Sequence, residues 1–269
     1  MDITGFRHAG RWAALLAVVP VVAACGGDPG PRPDGAPGGA PPALAQGTQL
    51  VITTGNGVRL RPADDDRVAL PDGHTHSRWS HHDETWVLDL SCPRHEDRAD
   101  HEDRAEDDGR AEDGGDCPRM PVIGVPAGVS VTVTARNAGI DAVGIDAGLD
   151  LTTVNGDVTV ARSGVQDATV RLVTRNGSVR AGTLRSERLH AETVNGDVTL
   201  GSATSPSRLT ATTTNGSVRV ALPDRVPAYK VAATTRNGRT SVGVPVSTER
   251  KGHDMTLATV NGDVTATRD

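Results

Sequence analysis

Short segments in which apolar and polar residues alternate recur through the second half of the chain, on both sides of an Asn-Gly pair. Apolar residues stand six and four positions before each Asn, and again three and five positions after it, with Thr240 as the exception. Such alternation around a glycine corner predicts two short β-strands with one buried face each. The six asparagines, spaced by 21, 19, 20, 22 and 24 residues, are Asn155, Asn176, Asn195, Asn215, Asn237 and Asn261.

The repeated unit is compatible with two all-β architectures. A hairpin at each Asn-Gly pair would give a β-sandwich or meander, whereas one coil per copy would give a β-solenoid. The outward positions two and four residues after each Asn place no like charges on consecutive copies, as in-register stacking requires. We therefore favour a solenoid of roughly 20-residue coils. In it, the asparagines and the threonines two positions before them would form internal structural ladders.

The N-terminal residues are predicted to direct export. Arg7 and Arg11 form a positive region before an apolar run at residues 12–22, and this run is too short to span a membrane. The run ends in Val-Ala-Ala followed by Cys25, which resembles a bacterial lipoprotein signal. We predict a signal peptide at residues 1–24, a lipid on Cys25 and a location at the extracytoplasmic face of the bacterial cell membrane. The alternative is an ordinary secretory signal with a chance cysteine.

The rest of the chain divides into a tether and a folded domain. Residues 25–46 are mostly Gly, Pro and Ala, a composition that cannot bury a core. The β-repeat domain is predicted over residues 47–269. Residues 48–60 contain another strand, Asn-Gly, strand unit, which we interpret as the first coil or an N-terminal cap. Arg136-Asn137-Ala138-Gly139 is a degenerate copy.

Residues 72–119 form an insertion that lacks the repeat pattern and is rich in His, Asp, Glu and Arg. His74, His76, His81 and His82 could bind Zn²⁺ or Cu²⁺ at an exposed site, although a polar loop without fixed geometry is the interpretation that we favour. In an exported protein the remaining two cysteines, Cys92 and Cys117, are expected to form a disulfide.

The recurrent Thr-Val-Asn-Gly-Asp-Val-Thr, together with the tether and the lipoprotein signal, gives the chain a family resemblance. From about residue 121 to 268 it resembles the bacterial putative-adhesin β-strand-repeat lipoproteins, whose domain is of unknown function. The resemblance implies a right-handed β-solenoid, and it implies no catalytic residues.

Composition and motifs narrow the function. The net charge of −6 provides no basic surface for nucleic acid. The chain contains no nucleophile elbow, P-loop, dinucleotide fingerprint or zinc-protease motif, so we predict neither enzyme activity nor a cofactor. Asp157, Asp197 and Asp263 do not match the calcium-binding nonapeptide, and we interpret them as surface residues beside turns.

We therefore predict a surface-anchored, adhesin-like binding or scaffolding protein. Its partner would be a cell-wall glycan or another surface protein, contacted through a solenoid face that includes Arg180 and Arg219. A purely structural envelope protein and a metal-binding lipoprotein that acts through the insertion are the alternatives.

Overall fold

The alternating segments form short β-strands in the computed structural model, which describes residues 41–71, 77–91, 119–249 and 252–269. The strands lie in two sheets. The ten-stranded sheet contains β1 (Gln49–Thr53), β3 (Arg78–His82), β4 (Thr85–Asp89), β6 (Ser130–Thr134), β8 (Leu149–Thr152), β10 (Thr169–Val173), β12 (Arg188–Glu192), β14 (Arg208–Thr212), β16 (Tyr229–Asn237) and β18 (His253–Asn261). The nine-stranded sheet contains β2 (Val58–Pro62), β5 (Val122–Val125), β7 (Ile140–Val143), β9 (Val158–Ala161), β11 (Val179–Leu184), β13 (Val198–Ser202), β15 (Val218–Leu222), β17 (Thr240–Val242) and β19 (Val264–Arg268). No helix in the described ranges has the length and apolar character needed to cross a membrane.

Parallel pairing decides between the two predicted architectures. The strands before and after each Asn-Gly corner lie in different sheets, and each pairs in parallel with its counterpart in the adjacent coil. Val170, for example, pairs with Leu189, and Val179 pairs with Val198. A hairpin would instead pair the two strands of one unit antiparallel. The fold is therefore the predicted β-solenoid, and the sandwich or meander of hairpins is ruled out for these coils.

The core is the set of inward-facing residues that the alternation predicts. In the coil that contains Asn195, Leu189, Ala191, Val198 and Leu200 are each at most 1% exposed. They belong to a single cluster of buried side chains to which both sheets contribute. Small and medium-sized apolar residues suffice because each coil is thin and is covered by its neighbours on both sides.

The coils are not stacked in sequence order at the C-terminal end. Strand β18 lies between β14 and β16, and β19 lies between β15 and β17. The Asn261 coil is therefore inserted between the coils of Asn215 and Asn237, and the Asn237 coil is outermost. This coil carries Thr240 where the other copies carry Val. An inward hydroxyl costs less at an end than between two coils, because water can still reach it.

The same rearrangement occurs at the N-terminal end and corrects the prediction for residues 48–60. Strand β1 pairs with both β4 and β6, and β2 pairs with both β5 and β7. This unit is therefore the second coil of the stack, neither its first coil nor its cap. The outer position is taken by β4 and β5, which come later in the chain.

The outermost part of the ten-stranded sheet at this end is a hairpin formed inside the predicted insertion. Strand β3 pairs antiparallel with β4, and the rings of Trp79 and Trp86 meet edge to face with centroids 6.3 Å apart. Leu44, within the predicted tether, is only 3% exposed, and its N–H donates to the Asp66 carbonyl. The fold therefore begins before the predicted boundary at residue 47.

One outward column departs from the charge alternation seen in the sequence. Arg188 lies directly opposite Arg208 on adjacent strands of the ten-stranded sheet, and both side chains are exposed. Like charges therefore do stack in the column seven residues before each Asn. The predicted residues Cys25, His74, His76, Cys92 and Cys117 lie outside the described ranges.

Candidate binding face at the Asn-Gly corners

The corner asparagines form a continuous hydrogen-bonded ladder. From one coil to the next, a side-chain Nδ2 donates to the Oδ1 of the coil before it over 2.7 to 3.4 Å. In stacking order the ladder contains Asn137, Asn155, Asn176, Asn195, Asn215, Asn261 and Asn237. The six of the repeat coils are exposed rather than internal as predicted. Strand alternation would point them inward, but in four of the six coils the strand ends three residues before the Asn. In the other two, β16 and β18 include the Asn as their last residue.

The threonines two positions before each Asn form the internal column. Thr193 is 2% exposed, and its Oγ1 donates over 2.8 Å to the carbonyl of Gly177 in the coil before it. The same bond joins Thr174 to Gly156 and Thr213 to Gly196. Each threonine thus satisfies a corner carbonyl that would otherwise have no partner inside the solenoid.

The corner glycine is required by close approach as well as by its backbone angle. Gly196 has φ of +150°, and a Cβ placed there would come within 2.1 Å of the Gly177 carbonyl oxygen. A side chain would therefore push adjacent coils apart. This tight contact keeps the corners in register and fixes the side chains that follow.

From the Asn155 coil to the Asn261 coil, the position two residues after the Asn alternates between an acid and serine in stacking order. This alternation has a structural cause. Asp157 Oδ1 accepts the Ser178 N–H of the next coil at 2.7 Å, and Ser178 Oγ accepts the Asp197 N–H at 3.4 Å. Asp197 and Ser217 repeat the acid-to-serine step at 2.7 Å. A serine between two acids keeps the carboxylates two coils apart, about 9.6 Å, which limits their mutual repulsion.

Each of these two acids also pairs with an arginine of the next coil. Arg180 forms an ion pair with Asp157, and Arg219 Nη1 lies 3.5 Å from Asp197 Oδ2. Partial burial acts to raise the pKa of Asp157, but the Ser178 N–H and the Arg180 guanidinium outweigh it. The pKa of this carboxyl is therefore held below its ordinary value of 3.8.

We call these outward residues the corner face: the asparagine ladder, and the positions two and four residues after each Asn, from the Asn155 coil to the Asn237 coil. Arg180 and Arg219 lie in one column with Thr199 between them, which places them about 9.6 Å apart along the stack. Their side chains are each 55% exposed. A guanidinium has five N–H donors, so each arginine can hold its aspartate and still bind a partner.

Comparison with known proteins places these coils in a family. The model of the Toastrack DUF4097 family matches residues 131–267, which are 137 of the 269 residues of the chain. This chain belongs to the Toastrack DUF4097 family. The predicted resemblance to a β-strand-repeat family of unknown function is thereby confirmed.

The Toastrack match begins within β6 and ends within β19, so it includes the whole corner face and leaves out β1 to β5. A solved structure of a putative cell adhesion protein from Clostridium sporogenes ATCC 15579 superimposes with a TM-score of 0.39 and 9% identity. That alignment covers 86% of this chain and 96% of that chain, and a likeness so distant does not bear on function. No curated protein matches the chain.

The predicted metal ligands that the structure describes do not converge. His81 and His82 are successive residues of β3 and therefore point to opposite faces of the sheet. The His81 ring packs against Trp86 with centroids 4.3 Å apart, and His82 Nδ1 lies 2.8 Å from an Asp83 carboxylate oxygen. In the described part of this Toastrack chain, no group of three His, Cys, Asp or Glu residues could hold a metal ion. A metal site that includes His74 and His76 stays a prediction.

Pockets lie at the opposite edge of the coils, in the loops that return from one coil to the next. One of about 390 Å³ is lined by Glu187, Ser207 and His253. Beside it, the buried Tyr229 hydroxyl donates to the Pro206 carbonyl at 3.0 Å, and His253 Nδ1 lies 2.9 Å from the same oxygen. The alternation pattern gave no sign of this cluster, because Pro206 lies in a loop outside the repeats. The corner face, by contrast, consists of columns of outward side chains.

Proposed function

We propose that this Toastrack chain is a non-enzymatic, adhesin-like binding protein at the extracytoplasmic face of the bacterial membrane, anchored through a lipid on Cys25. Its corner face would bind an extended glycan strand of the cell wall. The observation that carries the proposal is the repeated Asp–Arg pair beside the asparagine ladder, formed by Asp157 with Arg180 and by Asp197 with Arg219.

The spacing of these pairs suits a linear polymer. Equivalent groups recur every second coil, about 9.6 Å apart. The Ser178 hydroxyl lies between the two aspartates of the column, and the Thr199 hydroxyl lies between the two arginines. A partner with regularly spaced polar groups can therefore make the same contacts at several coils in succession. Repeated weak contacts of this kind gain from multivalency, because after the first contact the others are intramolecular.

The chemistry of the corner face favours a glycan over a second protein. Its side chains are amides, hydroxyls, carboxylates and guanidinium groups, which complement the hydroxyl and carboxylate groups of a polysaccharide. The centre of a protein–protein interface is normally depleted of charge and carries aromatic or large aliphatic anchors. The aromatic residues that the structure describes, Trp79, Trp86 and Tyr229, all lie away from this face.

The state of the carboxylates supports a binding role rather than catalysis. A general acid that works near neutral pH needs a raised pKa, whereas the pKa of Asp157 is lowered. The Asp157 and Asp197 carboxylates each accept a main-chain N–H and pair with an arginine. These interactions fix both carboxylates in place, where they position the guanidinium groups.

Co-sedimentation of a soluble fragment with purified cell-wall material tests the proposal. Residues 35–269 are suitable because this fragment keeps the buried Leu44 and all of the strands β1 to β19. We expect saturable binding that falls at least about tenfold in the double variant Arg180→Gln, Arg219→Gln, with loss of about 1.4 kcal/mol or more of binding free energy. Glutamine is preferred to glutamate because a carboxylate at position 180 would repel Asp157.

The matched control is the double variant Arg171→Gln, Arg188→Gln in the ten-stranded sheet. Arg171 also pairs with an aspartate, Asp150, at 3.1 Å, so this control removes two arginines, one of them ion-paired, outside the corner face. Equal losses in the two double variants would indicate general charge attraction and would overturn the assignment. No binding by the unmodified fragment would favour a structural role, and capture of a surface protein instead of the glycan would change the partner.

The membrane anchor has its own test. Replacing the thiol of Cys25 by the hydroxyl of Ser removes the atom that would carry the lipid, so Cys25→Ser is expected to release the protein from the membrane fraction. Membrane fractionation of cells that express each form measures this. Retention of the serine variant would refute lipid anchoring without affecting the corner face.

A further inference from the structure

The coil that contains Asn237 is the last in the stack, so the hydrogen bonds that join each corner to the next coil end there. In the coils before it, the corner Gly N–H donates to the Asn carbonyl of the next coil, and the Gly carbonyl accepts the next threonine hydroxyl. Gly262 makes both bonds, to Asn237 and from Thr235. Among the described residues, Gly238 N–H, Gly238 O and Asn237 Oδ1 have no such partner. Three groups that serve the next coil elsewhere are thus presented at this edge.

The strand after this corner is also open along its main chain. The Arg239 carbonyl accepts the Val264 N–H, and the Gly243 N–H donates to the Ala266 carbonyl. In a parallel ladder, alternate residues direct their main-chain groups to opposite neighbours. The intervening residues Thr240 and Val242 therefore direct theirs to the outer edge, where β17 has no neighbouring strand in the described sheet.

Apolar surface is uncovered at the same place. Val242 is 38% exposed, whereas Val220, at the same position of an inner coil, is 2% exposed. Val231 and Ala233 are only partly buried. The start of β16 is closed by residues 245–247, which bond to both main-chain groups of Tyr229. The corner half of the coil therefore combines unpaired main chain with apolar side chains, the two requirements for adding a strand to a sheet.

The charged residues of the outer coil indicate which kind of partner can bind at this edge. Between residues 229 and 244 the charged residues are Lys230, Arg236 and Arg239. Arg239 occupies the column in which an acid and a serine alternate. Its main-chain N–H donates to Asp263 Oδ1 of the coil before it at 2.9 Å. An acid on an incoming coil would continue that alternation. A second copy that approached with the same end would instead place arginine and lysine against their equivalents.

We infer that the open edge of β16 and β17, next to the Asn237 corner, docks the first coil of a second β-solenoid protein. The matching partner segment is strand, Asn-Gly corner, strand, with a threonine two residues before the Asn and an acid two residues after it. Its threonine hydroxyl would bond to Gly238 O, its Asn to Asn237 Oδ1 and its acid to Arg239. This inference goes beyond glycan binding. It uses the outer edge of the Asn237 coil, which shares Asn237 and Arg239 with the end of the corner face but does not involve Arg180 or Arg219.

A synthetic peptide of residues 188–202 is the probe, because it has this pattern, with Thr193, Asn195 and Asp197 at the required positions. Titration of the labelled peptide with the full-length protein, followed by fluorescence anisotropy, is expected to give saturable binding. A peptide with Asp197→Lys is expected to bind at least about tenfold more weakly, as is the normal peptide to the Arg239→Glu protein.

Two further variants separate docking from general attraction. Val242→Pro removes an outward main-chain N–H without removing a ladder bond, and it is expected to abolish peptide binding while circular dichroism stays unchanged. Arg188→Glu carries the same charge change as Arg239→Glu but lies on an inner strand, and it is expected to bind normally.

Three results would overturn the inference. The first is no binding of the normal peptide, and the second is equal binding by the Val242→Pro and unmodified proteins. The third is concentration-dependent self-association that Val242→Pro abolishes, which would make a second copy the occupant. Cell-wall binding by the corner face is measured separately with Arg180 and Arg219, so failure of one proposal leaves the other testable.

Discussion

The coil of Asn215 and the coil of Asn237 have the same sequence pattern but different physical situations. The inner coil is covered on both sides, so that Val218 is fully buried and Val220 is 2% exposed. In the outer coil the equivalent positions are the exposed Thr240 and Val242. A repeat therefore fixes how each coil bonds to its neighbour, whereas the number of neighbours decides how much each residue contributes to stability.

The largest expected difference concerns the corner glycines. Gly196→Ala would force a Cβ into the Gly177 carbonyl oxygen at a φ of +150°, and we expect it to lower the free energy of unfolding by about 3 kcal/mol or more. Gly55→Ala is the control, since a Cβ there meets nothing within 4 Å, and it is expected to change stability by less than about 0.5 kcal/mol. Urea unfolding of both variants measures this. Equal effects would show that the close corner contact is absent.

The same valine position in two coils gives the next contrast. Val220→Ala leaves a cavity between two coils and is expected to cost about 2–3 kcal/mol. Val242→Ala removes methyl groups that are already partly in water and is expected to cost less than about 1 kcal/mol. Thermal and urea unfolding of the two variants would measure the difference. A similar cost at both positions would mean that the outer coil is covered in solution.

Tyr229 differs from Thr240 and Val242 because it lies in the outer coil but is fully buried. Burial raises the pKa of Tyr229 to about 12 from an ordinary value of 10.0. The folded state therefore keeps the hydroxyl protonated where the unfolded state ionises. Its contribution to stability is complete below about pH 10 and is lost as the pH rises from 10 towards 12.

Tyr229 is the single tyrosine of the chain, so phenolate absorbance reports on it alone. We expect ionisation near pH 12 in the folded protein and near pH 10 in denaturant. Ionisation near pH 10 in the folded protein would show that the start of the outer coil is open as well.

The smallest expected effect is at the stacked arginines of the ten-stranded sheet. Arg188 faces Arg208 on one side and Thr169 on the other. Arg188→Glu replaces a repulsive pair by an attractive one and is expected to raise stability by about 0.2–1 kcal/mol at low salt, with a smaller gain at high salt. A gain that does not depend on salt would have to come from something other than charge.

Much of the fold follows from the sequence because strand alternation and an Asn-Gly corner are local signals. They predict the buried columns, the internal threonines and the solenoid. The stacking order does not follow, because pairing between coils is non-local and all copies carry compatible corners. One local clue was present, since Thr240 replaces the valine of the other copies and a polar inward residue favours an end position.

The candidate site was partly predictable for the same reasons. The alternation predicts Arg180 and Arg219 as outward residues at equivalent positions, and the structure places them in one column. Their pairing with Asp157 and Asp197 depends on the diagonal between adjacent coils, which the sequence pattern does not specify. The open edge at Asn237 could not be predicted before the coil order was known.

Amide hydrogen exchange along the C-terminal coils tests the order in which these coils stack. We expect β19 to exchange slowly because it lies between β15 and β17, although it is the last strand in sequence order. Thr240 and Val242 of β17 are predicted to exchange rapidly from the outer edge, while Ser241 and Gly243 are protected by β19. Rapid exchange throughout β19 together with protection of Thr240 and Val242 would contradict the stacking order and the open edge derived from it.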